Sequence, residues 1–118
     1  FDTALEEEEL IVAIHIPTPA ADPQFGFYEL TQRHGDYAIA GVAVAFSTNC
    51  YRVAFFGVSD RAIRVPAVEK ALARGDGMDT VVTHLNDIEF SGDLKASKIT
   101  RQRLAKVALG RAIEGMTL

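Results

Sequence analysis

The chain has 118 residues, 48% of them apolar, and a formal net charge of −4. That size and apolar content support a single domain whose core needs no staple, and the acidic balance excludes a phosphate-backbone binder, which needs a concentrated basic excess. A lone cysteine, Cys50, excludes an intrachain disulfide and any multi-cysteine zinc or iron–sulfur site built from this chain alone, and it fits a reducing cytosol.

In chain order, an acidic run from Glu6 to Glu9 precedes Leu10 to Ile16. There, period-2 alternation sets Val12, Ile14 and Ile16 on one side and predicts a strand. Pro17, Pro19 and Pro23 predict an irregular crossing loop, because proline lacks a donor and disfavours helix before it. Extended structure resumes from Phe25 to Thr31. After a polar corner, Ile39 to Ser47 and Tyr51 to Val58 are apolar runs joined by Thr48-Asn49-Cys50, which predicts an antiparallel hairpin. Gly41, Ala43 and Ala45 are small residues within a strand and invite close approach by another surface.

The period then changes. Pro66 suits the first turn of a helix that stops near Gly75. Apolar residues at 78, 81, 82, 85 and 88 predict a second helix from Met78 to Ile88 with one buried stripe. After a break at Ser91-Gly92-Asp93, a third helix is expected from about Ala96 to Gly115. It would pack through Leu104, Val107, Ala108, Ala112 and Ile113, with Lys98, Arg101, Gln102 and Lys106 facing water. Strands first and helices afterwards argue for an α+β fold, an antiparallel sheet of three to four strands followed by three helices packed on one face. No apolar run approaches the ~20 residues that cross a bilayer.

Little of the usual catalytic vocabulary is present. His15, His34 and His84 fall on a strand, a corner and a helix with no ligand spacing between them, so no metal site is expected. No G-x-S-x-G nucleophile elbow occurs, and a hydrolase would have to be assembled from His34, Asp36 and Asp60. Gly75-x-Gly77 lies between two helices rather than between strand and helix, the wrong setting for a dinucleotide loop. Arg33 and Asp36 stand at the neck between two strands, where they lock a corner by pairing with each other or with nearby backbone N–H groups.

Tyr28 to Phe46 carries the most specific signal: an aromatic, then Arg33, then Asp36-Tyr37-Ala38 opening into a strand of small and β-branched residues. It resembles the C-terminal domain of the FAD-binding (medium) subunit of molybdenum hydroxylases, the carbon monoxide dehydrogenase and xanthine dehydrogenase family. Further matching segments are Phe1 to Leu5 with Glu9-Leu10-Ile11 and Ile14-His15-Ile16-Pro17, then Gly57-Val58-Ser59-Asp60-Arg61 with Pro66 and Glu69 to Leu72, and finally Gly92 to Ser97 with Arg101 and Arg111-Ala112-Ile113. Phe56-Gly57 departs from the family's Gly-Gly pair, and Thr100-Arg101 from its Tyr-Arg.

The resemblance implies that residues 1–118, which begin at Phe1 rather than methionine, are one domain at the C-terminal end of a longer FAD subunit. It implies an oxidoreductase part that closes the flavin site, with FAD held mainly by absent N-terminal domains. Docking to a molybdopterin-binding large subunit and an iron–sulfur small subunit would carry electrons from the clusters to an acceptor. It also implies that Phe1, Tyr37, Val42 and Val44 border the isoalloxazine, and that the setting is cytoplasmic. A cofactor-free interaction or dimerisation module is the alternative that the small residues of the strand from Ile39 also accommodate.

Overall fold

The computed structural model describes residues 3–18 and 22–116. Four antiparallel strands lie in sequential order: β1 (Gln24–Thr31), β2 (Ala38–Ser47), β3 (Cys50–Phe56) and β4 (Ile63–Arg64). The helices follow as α1 (Pro66–Ala73), α2 (Met78–Val81), a 3-10 segment (Val82–Asp87) and α3 (Lys98–Glu114). The α+β class expected from the sequence is the one observed.

The β2–β3 hairpin turns on two residues, Thr48 and Asn49, both with positive φ (51° and 59°), while Ser47 pairs with Cys50. Two left-handed central residues give a turn whose twist matches the strands it joins. Cys50 therefore opens β3 instead of sitting in the turn. Along β2, Ala40, Val42 and Val44 point inward, and along β3 Val53 and Phe55 do the same; all are buried. Together with Val68 and Ala71 of α1 and Ala105, Ala108, Leu109 and Ala112 of α3 they form one core. Both helices pack on this one face of the sheet.

Two expectations about the elements need correcting. Residues 10–16 form no strand: they run as an exposed arm, with Val12 90% and Ile14 82% exposed. Alternation makes a segment ready to pair, but a strand needs an edge to pair with, and the arm lies on neither edge of this sheet. The fourth strand is instead the short β4, which pairs with β3 through Ala54↔Arg64 and Phe55↔Ile63. The single helix expected from Met78 to Ile88 is one α-helical turn that tightens into the 3-10 segment. Val81, Val82 and Thr83 are β-branched and lose χ1 freedom in an α-helix, which weakens continuation at that point.

A buried carboxylate fastens α1 to the sheet. Glu69 Oε1 accepts the Val53 N–H (2.9 Å) and Arg64 Nε (3.0 Å), and Oε2 accepts from the Arg64 terminal nitrogen (2.7 Å). Burial pushes this carboxyl up, but the hydrogen bonds from Arg64 and Val53, with the nearby charges of Arg64 and Arg52, outweigh it and leave the pKa below its ordinary value. At the start of α3, Ser97 accepts the Thr100 N–H at 3.2 Å, a cap of the kind that contributes about 1 kcal/mol. No helix among the described residues is long and apolar enough to cross a membrane.

Candidate functional site

The corner between β1 and β2 is built by local polar geometry. Asp36 N–H donates to Arg33 O (3.0 Å), Gly35 takes φ +82°, and Asp36 Oδ1 accepts the Tyr37 N–H at 2.8 Å. The Arg33 and Asp36 side chains do not pair. Asp36 instead faces Lys95 Nζ at 3.7 Å, and among the described residues the Arg33 side chain makes no ion pair. Tyr37 projects from this corner 82% exposed.

Beyond the corner, the outward face of the sheet is largely apolar, and no helix among the described residues covers it. Phe25 and Phe27 of β1 are exposed on it, and Phe27 stacks on Phe56 of β3 (centroids 5.7 Å apart, 19° between planes). Phe56 lies over Gly41, where a Cβ would collide with its ring. The close approach that Gly41 permits is thus taken up within the domain, and Ala43 and Ala45 are the small residues left facing outward. An open cleft of about 260 Å³ follows, lined by Phe25, Ala43, Ala45 and Ala54 with Arg52 and Arg64 at its edge.

Of the residues singled out as bordering a flavin, Tyr37 sits at the corner and is accessible. Val42 and Val44 are buried beneath the helices, on the opposite side of β2 from Ala43. Phe1 lies outside the described residues. His34 is exposed, and Asp60 lines a different cleft with Ser59, Glu89, Phe90, Ser91 and Lys98, in which no histidine takes part. Among the described residues no group of histidine, cysteine or carboxylate side chains is arranged to hold a metal ion.

Sequence reasoning missed Arg101. Read as facing water, it is only 7% exposed. One terminal nitrogen donates to Ile39 O (2.8 Å) and to Gly57 O, and the other to Asp93 Oδ2 (2.5 Å). Asp93 Oδ1 in turn accepts the N–H groups of Lys95 and Ala96 (2.9 and 3.0 Å). Acceptance of the Ala96 N–H, then the Arg101 fork and the Lys95 N–H, hold the Asp93 pKa below its ordinary value. The available signal was the helix stripe itself: Ala105, Ala108, Leu109 and Ala112 are buried, and one turn earlier that stripe reaches Arg101.

The sequence and the fold both have known counterparts. The chain is 31% identical over 119 residues to caffeine dehydrogenase subunit beta of Pseudomonas sp. (strain CBB1), a match that takes in 92% of this chain and 40% of that protein. It superposes on quinoline 2-oxidoreductase from Pseudomonas putida 86 with a TM-score of 0.71 and 27% identity, over 84% of this chain and 38% of that one. Sequence and fold alike resemble a domain of the molybdenum-hydroxylase FAD subunits. CO dehydrogenase from Oligotropha carboxidovorans shares the fold, with a TM-score of 0.70 at 23% identity over 84% of this chain and 38% of that one. No family model matches the chain. The chain spans well under half the length of the relatives it matches.

Proposed function

We propose that this chain is the C-terminal domain of the FAD subunit of a molybdenum hydroxylase, where it closes over the flavin and helps dock the molybdopterin and iron–sulfur subunits. The observation that carries the reading is a pairing of features on one small domain: an accessible aromatic at a braced polar corner, and an apolar sheet face that no helix of its own covers. The exposed arm at residues 10–16 supports it further, since a soluble chain rarely leaves so much alternating apolar side chain in water without a partner.

The residues present suit one wall of a flavin site and not the grip on its phosphates. Tyr37 offers a flat ring for an isoalloxazine, and offset stacking buries apolar area while leaving the polar edge of the ring free. Val42 and Val44 would act from behind, setting the position of the strand. By contrast, Gly75 and Gly77 lie between α1 and α2 rather than between a strand and a helix, and among the described residues they face open space. The flavin, when bound, supplies the redox chemistry. The chain's own part is to exclude water and solutes and hold the corner still, so that electrons arriving from iron–sulfur clusters leave to the acceptor. With one exposed cysteine, a cytosolic setting is proposed for it.

An interaction module without cofactor is the second reading, and the bare Phe25, Phe27 and Phe56 face favours it equally. An FAD titration separates the two. The isolated chain is expected to take up no FAD at stoichiometric concentrations, while the full-length subunit binds it and loses flavin shielding when this domain is removed. Stoichiometric binding by the isolated chain would overturn the assignment of the grip to other domains. A full-length subunit that binds no flavin would favour the module.

A further inference from the structure

We propose that Arg101 is a positioning residue that sets the placement of the Arg33–Ile39 corner against the flavin; the proposal rests on the reading above that this corner borders the ring. The guanidinium joins three parts of the chain that are distant in sequence. It reaches Ile39 O, at the far end of the corner, Gly57 O, just after β3, and Asp93, in the loop before α3. A second tie runs beside it: Lys95, in the loop that Asp93 organises, faces Asp36, whose carboxylate also accepts the Tyr37 N–H. The corner is therefore braced at both ends, through Asp36 and through Ile39, by one helix-borne arginine and the loop folded onto it.

The geometry demands an arginine. Two backbone carbonyls and a carboxylate lie around a buried group, and a planar fork that is always charged presents donors to all three at once; an ammonium is a single point of charge. Gly57 makes the junction tight. It takes φ +69°, and a Cβ there would lie 2.5 Å from Ala38 O, so the end of β3 passes directly against the start of β2. Loss of the fork leaves two carbonyls of this crossing without their donor, and the freed segment is the one that carries Tyr37. A residue that only stabilised the fold would lower melting temperature without touching the flavin. A positioning residue changes the environment of the flavin while the cofactor stays bound.

The test uses the full-length FAD-loaded subunit carrying Arg101→Met, Arg101→Lys or Asp93→Asn. As reference it uses Leu109→Ala, a core residue of the same helix that lowers stability without touching the brace. Arg101→Met is expected to retain stoichiometric FAD yet raise iodide quenching of flavin fluorescence roughly twofold, as solute gains access to the ring. Its visible flavin circular dichroism should also change. Arg101→Lys should recover part of both signals, Asp93→Asn should shift them in the same direction, and Leu109→Ala should leave them at wild-type values. If Arg101→Met does not fold, Arg101→Lys and Asp93→Asn carry the same comparison. Flavin signals that follow melting temperature alike in the Arg101 and Leu109 variants would overturn the proposal and leave the preceding reading standing. A wild-type flavin whose accessibility is unchanged by removal of the entire domain would overturn both.

Discussion

Gly26→Val is expected to lift α3 off the edge of the sheet and remove about 3 kcal/mol of stability, read as a lower urea midpoint with an unchanged slope. Gly26 lies on the inward side of β1, and a Cβ placed there runs into the carbonyl oxygen of Ala112 and, at 2.8 Å, the Met116 side chain. A flexible side chain end can move aside; the helix carbonyl cannot move without carrying the helix with it. Alanine at the same site should cost about 2 kcal/mol, since overpacking a filled contact typically costs 1–3. Among the described residues β1 is an edge strand bonded to β2 alone, so its other anchor is this contact with α3. A wild-type midpoint for the valine variant would mean that α3 does not rest on β1.

Glu69→Ala should be nearly as damaging, at about 2–3 kcal/mol. Arg64 is half exposed, so its pairing with Glu69 contributes little after solvent screening. The larger loss is the Val53 N–H, which is left buried without an acceptor at a cost of about 1–3 kcal/mol. Glu69→Gln keeps an acceptor and should lose less. The same carboxylate makes the domain acid-sensitive. Its folded pKa is lower than its unfolded one, as is that of Asp93, so both contributions are fully present above the ordinary carboxylate range and are lost as pH falls through the lowered values. Melting temperature should therefore drop below about pH 4, and Glu69→Gln should flatten that drop; an unchanged acid limb would contradict the role given to Glu69.

Local rules carried much of the architecture. Two apolar runs around Thr48-Asn49 could only fold back on each other, and Pro66 with an apolar face marked α1. What was lost depended on partners remote in the chain. The alternation at residues 10–16 promised a strand, but pairing is a property of two segments, and the arm lies against neither edge strand of the sheet. Arg101 looked like one more charged residue on a solvated helix, because two of its three acceptors are main-chain carbonyls 44 and 62 residues away that leave no mark in side-chain pattern. Val107, taken for core, is half exposed, while Ala105 and Leu109 hold the stripe that Arg101 extends.

The candidate site was legible by region and less so by residue. The order of Arg33, Asp36 and Tyr37 marked the corner correctly, yet the brace behind it comes from Lys95, Asp93 and Arg101. On β2 the parity was readable in hindsight: Ala40, Val42 and Val44 include the branched residues that fill a core, and Gly41, Ala43 and Ala45 alternate with them on the bare face.

Amide hydrogen exchange on the full-length subunit, with and without FAD, tests the central claim most directly. If this domain is a cover for a flavin gripped elsewhere, bound FAD should slow exchange across residues 32–41 while leaving α1 and the 3-10 segment unchanged. Exchange at 32–41 that is indifferent to FAD, in a subunit that has demonstrably bound it, would contradict the account.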